Sequence, residues 1–198
     1  MTPRRPDSGT TDVRAAILGA ATALFKERGV DGLSMRQIAN EIGYSATTIY
    51  LHFEDKDALM LAVCSAGFEE FGATLEAAAR SAASPLDGIR ASGDAYVRFA
   101  LNNPMLYDVM FLRPKEWALP APGDPDSLHA FAMLVGAAMS AGQLRQGDPR
   151  EAAALLWSGM HGVASSTLVF QGQINGLEPD AAVARARAVT DALLASLT

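Results

Sequence analysis

Apolar residues in this chain recur at intervals of three and four, in runs cut by glycine and proline. No run alternates at period two for long enough to argue a sheet. The spacing therefore predicts an all-α fold of about nine helices. The first spans residues 11–28, with Ile17, Ala21, Leu24 and Phe25 on one face, and stops at Arg28-Gly29. Later breaks fall at Ser84-Pro85, Asn103-Pro104, Pro120 to Pro125, Gly147 to Pro149 and Gly176 to Pro179, with one loop near residues 114–126. Asp148-Pro149-Arg150-Glu151 combines a cap, an N1 proline and a first-turn acid, so a helix starts there. Pro179 opens the last helix, in which Val183, Ala186, Val189, Leu193 and Leu197 line one side. Residues 1–10 read as a flexible arm.

Within this pattern, residues 33–59 form a distinctive group. Ser34 and Gln37 have the spacing of a capping box, each side chain serving the other's backbone N–H. Ile38, Ala39 and Ile42 make the buried stripe of a short helix, and Gly43 supplies a turn. A second short helix runs from Ser45 to His52, with Ile49 and Phe53 inward. Asp55 caps a long fourth helix whose Leu59, Val63, Ala66 and Phe71 face in. Two short helices joined by a tight turn are a helix-turn-helix, which sets one helix in the DNA major groove. The chain divides into the arm, a helix-turn-helix domain over 11–56 and a larger helical domain over 57–198.

The net charge of −6 sits badly with a nucleic-acid binder until the chain is divided. Residues 1–56 carry seven basic and seven acidic side chains; residues 57–198 carry nine and fifteen. A neutral head thus precedes an acidic body; a small basic patch on the head can still bind phosphate, and the acidic body discourages non-specific sticking elsewhere. Hydrophobic residues make up 49% of the chain and charged residues only 19%, which points to surface covered by a second copy.

Residues 11–60 resemble the N-terminal domain of the tetracycline-repressor (TetR) family of transcriptional regulators. The resemblance rests on Ile17 through Phe25, Gly29-Val30, Leu33 through Ala39, Ile42-Gly43, Thr48 through Phe53 and Lys56 through Leu59. It implies an all-helical homodimer with a small DNA domain and a larger domain for ligand and dimer contacts. Trp157-x-x-x-His161-Gly162 also resembles a signature of one C-terminal subclass. On this reading Ser45, Ala46, Thr47 and Thr48 approach base edges, since they are small and open a helix that enters the groove. Arg36 is the guanine-reading candidate, and Tyr50 and His52 offer an O–H and a ring N–H to the backbone. Lys56 places a cation against the macrodipole at the start of a helix, which a phosphate there would reverse; the family also has a lysine at this position.

Large side chains at helical spacing fill the second half. Most are core; Phe99, Tyr107, Phe111, Phe131 and Trp157 are the candidates to line an apolar effector pocket, with His161 or His129 as polar anchor. The last two helices, about 150–171 and 179–197, are rich in alanine, glycine and serine and suit an isologous four-helix dimer interface. The single cysteine, Cys64, lies on an apolar face and forms neither an internal disulfide nor a multi-cysteine metal site. No secretory signal or convincing membrane span is read, so a cytoplasmic protein is expected. No cofactor is expected, and no catalytic or phosphate-loop set supports an enzyme. A ligand-responsive repressor on a palindromic operator is the favoured function; an enzyme acting on a small apolar substrate, a protein-interaction module and an activator are the alternatives.

Overall fold

The computed structural model describes residues 10–29, 32–112, 127–174 and 176–198. The expected loop at 114–126 and nearly all of the expected arm lie outside these residues. The described residues are helical, in nine α-helices and no strands. They form two compact units, one of residues up to Ala66 with 108–112 and one of Gly67–Tyr107 with 127–198, dividing within the fourth helix.

In the first unit, α1 (Thr10–Arg28) buries Ile17, Ala21, Leu24 and Phe25, the stripe expected from their spacing. It ends where Gly29, at φ 70°, donates its N–H to the Phe25 carbonyl. Helix α2 (Met35–Glu41) starts at Ser34, whose hydroxyl accepts from the Gln37 N–H at 3.3 Å. The reciprocal half of the expected capping box is different. Gln37 Oε1 accepts a hydrogen bond from the Ser34 hydroxyl at 2.8 Å. Ile38 and Ala39 are buried, while Ile42 is only half-buried at the turn.

Gly43 makes that turn at φ 71°, a conformation that disfavours side chains with a Cβ. Helix α3 (Ala46–His52) follows, capped by Ser45. Ile49 is fully buried and Phe53 nearly so, and the Arg14 guanidinium lies 4.8 Å over the Phe53 ring. Asp55 Oδ1 accepts the Ala58 N–H at 2.7 Å and opens α4 (Lys56–Arg80). Leu59, Val63 and Phe71 are buried as expected; Ala66 is half-buried. Cys64 is core, and burial pushes its thiol up to about 11, away from the reactive thiolate.

The second unit is built around α5 (Pro85–Asn102), which packs on α7 (Ser127–Ser140), α8 (Pro149–Phe170) and α9 (Ala182–Ser196). Helix α6 (Pro104–Tyr107) follows α5 after one residue and passes into a wide turn over Asp108–Leu112. Asp148 caps α8 through the Arg150 N–H at 2.8 Å, and Pro149 takes the N1 position. Pro179 begins a single 3₁₀ turn before α9.

The buried stripe of α9 differs from the expected one. Ala182, Ala186, Thr190 and Leu194 are buried, while Val183, Val189, Leu193 and Leu197 are only half-buried. Three of the four buried residues are small, Val189 and Leu193 flank them against α8, and the neighbouring helices lie close. A Cβ at Gly93 of α5 would come within 3.2 Å of the Thr190 hydroxyl. A Cβ at Gly159 of α8 would meet Leu193 at 2.7 Å and Val189 at 2.9 Å.

Candidate functional site

The first candidate surface is α3 itself. With Ile49 at its buried pole, the opposite face presents Thr47, Tyr50 and Leu51, which are exposed. Tyr50 is 54% exposed and Leu51 80%. Ser45 is exposed and Ala46, Thr48 and His52 are half-buried beside this face. The Ser45 hydroxyl accepts the Thr48 N–H at 3.2 Å and lies 3.0 Å from the Thr48 hydroxyl. These two hydroxyls therefore serve the helix start as well as anything outside it. Arg36 is exposed near the start of α2, and Lys56 is the half-buried first residue of α4. All eight residues expected to contact DNA thus belong to one compact unit, which also holds the exposed Leu51, a residue the sequence pattern did not single out.

The second candidate is in the body. A cavity of about 440 Å³ opens between the end of α4, the start of α5 and α7. Leu75, Ala79, Pro85, Phe131 and Leu134 give it apolar walls, and Glu76 and Arg80, an exposed ion pair, stand beside them. Of the residues expected to line a pocket, Phe131 lines this one. His129 is exposed on α7, its Nδ1 3.5 Å from the Arg150 guanidinium.

Tyr107, Trp157 and His161 meet elsewhere in the same unit. The Tyr107 hydroxyl is hydrogen-bonded to His161 Nδ1 at 2.7 Å, and the Tyr96 hydroxyl lies 3.0 Å from that of Tyr107 and 3.1 Å from the same nitrogen. Trp157 stacks on the His161 ring at 4.8 Å, as four-residue spacing on a helix allows. Desolvation holds the His161 imidazole below its ordinary value and pushes the Tyr96 phenol up to about 12 and that of Tyr107 higher. Phe99 packs edge-on against Phe71 at 5.1 Å, in the core. Phe111 falls in the other unit. A pocket of large aromatics was expected; the structure uses most of them as core and hydrogen-bonded cluster, and walls the cavity mainly with small aliphatic residues. Among the described residues no group of three metal-ligating side chains occurs.

Comparison with known proteins supplies the family. The profile for bacterial regulatory proteins of the tetR family matches residues 17–63, and that for the tetracyclin repressor-like C-terminal domain matches residues 89–196, more than half of the chain. The chain belongs to the TetR family. TetR-family proteins are transcriptional regulators rather than enzymes, with a helix-turn-helix DNA-binding head. The tetracycline repressor class D of Escherichia coli is 30% identical over 105 residues, 53% of this chain and 42% of that protein. The repressor BepR of Brucella suis is 37% identical over 84 residues, 42% of this chain and 40% of that protein. The matched region thus spans well under two thirds of these relatives. A Rhodococcus protein described as of unknown function superimposes with a TM-score of 0.79 at 28% identity, covering 98% of this chain and 99% of its own.

Proposed function

We propose that this TetR-family regulator is a homodimeric repressor that binds a palindromic operator and is released by a small, largely apolar effector. The observation that carries the reading is the outward face of α3, which its own protein leaves uncovered while Ile49 anchors the opposite side. Arg36, Ser45, Ala46, Thr47, Thr48, Tyr50, His52 and Lys56 are the proposed DNA contacts. Arg36 carries the forked guanidinium that suits guanine, and Lys56, Tyr50 and His52 suit the backbone.

The proposed dimer joins α8 and α9 of two copies. After Glu151, α8 carries no charged side chain except the titratable His161. Its outward stripe is Leu155, Ser158, Gly162 and Val169, with Leu155 44% and Val169 61% exposed. On α9 the charged side chains turn to neighbouring helices. Arg187 pairs with Asp94, Asp191 accepts from Arg90 at 2.7 Å, and Arg185 reaches Thr167 at 3.3 Å. What is left outward is Ala184, Ala188, Ala192, Ala195 and Ser196. Small, uncharged outward stripes on adjacent helices support close packing against an identical pair. By length and apolar character α4 and α8 could also cross a membrane, but each buries residues against other helices, and serines and His161 interrupt α8. A protein that acts on DNA places this reading in the cytoplasm.

The cavity walled by Leu75, Phe131 and Leu134 suits an apolar effector of modest size. Helix α4 both lines that cavity and carries Lys56 in its first turn. An effector that binds one arrangement of the dimer better than another shifts the population away from the DNA-binding one.

The test is selection of bound duplexes from a random pool, followed by gel shift at several salt concentrations. An inverted repeat should be recovered, and Lys56→Ala should lower the salt slope by about one per protomer. Recovery of no sequence, or an unchanged affinity in Lys56→Ala and Tyr50→Ala, would remove the DNA-contact assignment.

A further inference from the structure

Helix α3 turns by about 100° per residue, so Thr47 and Leu51 lie roughly 160° from the buried Ile49 on either side. They are the crown of the outward face, with Tyr50 and Thr48 on its flanks. An exposed leucine alone means little. This one is 80% exposed at the centre of the surface read above as facing DNA. Helix α3 contains no arginine, lysine, asparagine or glutamine, so it lacks the bidentate side chains that recognise guanine and adenine. Leucine has neither donor nor acceptor. Among base edges in the major groove, the feature an aliphatic side chain can recognise is the C5 methyl of thymine.

We propose that Leu51 is a specificity-determining residue that reads a thymine methyl group in each half-site of the operator. The inference rests on the assignment of α3 as the groove-facing helix and adds a base to it. Thr47, one turn earlier on the same face, contributes its own methyl beside Leu51. Its side chain keeps a hydroxyl for hydrogen bonding, whereas Leu51 offers contact and exclusion of water alone.

The experiment uses the full chain and the duplex recovered by selection. Each thymine of the half-site is replaced in turn by deoxyuridine, which pairs identically and lacks only the methyl group. Wild-type protein should lose about fourfold in affinity per half-site at one thymine, the value of one buried methyl-sized group. At that position Leu51→Ala should bind the thymine and uracil duplexes equally, while losses at other thymines persist. Leu51 is solvent-exposed in the protomer, so the variant should retain the wild-type thermal midpoint, which is measured alongside. An affinity lost equally from thymine and uracil duplexes in Leu51→Ala places the side chain on the sugar-phosphate backbone and overturns the proposal. So does specific wild-type binding with no thymine whose methyl matters differently to the two proteins. Failure of wild type to select any duplex overturns both this inference and the assignment of α3.

Discussion

Gly162 gives the sharpest handle on the proposed dimer. It lies mid-way along α8 on the outward stripe, and a Cβ built there would meet nothing within 4 Å in the protomer. Within one chain, Gly162→Ala therefore removes only the entropic penalty of a helical glycine and should stabilise by about 0.5–1 kcal/mol. Gly162→Arg should likewise fold, since its side chain has open space. In an isologous interface every substitution occurs twice. Overpacking costs about 1–3 kcal/mol per site, so two sites amount to roughly 2–6 kcal/mol, before any cost of desolvating the guanidinium. That weakens dimerisation by roughly 30-fold to 10⁴-fold. Sedimentation equilibrium over a concentration series measures the constant, and denaturant unfolding of the same samples reports protomer stability. Gly159, three residues earlier, is the internal control, because its Cβ would strike Leu193 and Val189 within the protomer. Gly159→Ala should lower stability in spite of the helix-propensity gain. If Gly162→Arg dimerises as tightly as wild type, the outward stripe of α8 is not the interface and the argument from small residues fails.

Other expectations are as direct. Ile49→Ala removes the fully buried anchor of α3 and should lower the stability of the DNA-binding unit by about 2–5 kcal/mol, read from denaturant unfolding; a loss under 1 kcal/mol would contradict its place in the core. Ala130→Trp, at the cavity wall, should abolish the response to an effector while leaving operator affinity in its absence unchanged, measured by gel shift with and without that compound. The pH dependence turns on His161, whose imidazole is held below its ordinary value of 6.5 by burial. The unfolded chain then takes the proton first, so this contribution is complete above about pH 6.5 and is lost as pH falls through that value toward the folded one. Replacing His161 with glutamine should lessen the loss of stability as pH falls below about 6.5; an unaltered slope would show that another group governs it.

Much of the head was legible from the sequence because its signals are local. Ser34, Ser45 and Asp55 cap their helices through backbone N–H groups within three residues, and Gly29 and Gly43 adopt the positive φ that their positions suggested. Ile49 and Phe53 followed from spacing alone. What escaped depends on neighbours distant in sequence. Helix α9 lies against α5 through Thr190 at Gly93 and against α8 through Val189 and Leu193 at Gly159, contacts that periodicity in α9 cannot reveal. The aromatic residues of the body share one composition signal, yet Phe131 lines the cavity, Phe99 is core, and Tyr107 is hydrogen-bonded to an imidazole 54 residues away. Leu51 was missed for the opposite reason. Two residues from the inward Ile49, it already falls on the outer face by helical spacing, but an apolar side chain is ordinarily assigned inward, and its 80% exposure shows the outward placement.

The central claim, that twin copies of α3 enter successive major grooves, is tested most directly by altering the spacing of a selected operator. Half-site centres should lie about 34–36 Å apart, one turn of duplex. Insertion of five base pairs between the half-sites rotates one of them by about half a turn, to the far side of the DNA. Two protomers per intact operator, and loss of specific binding on that insertion, are the results expected. One protomer per site, or affinity indifferent to the insertion, would contradict the account.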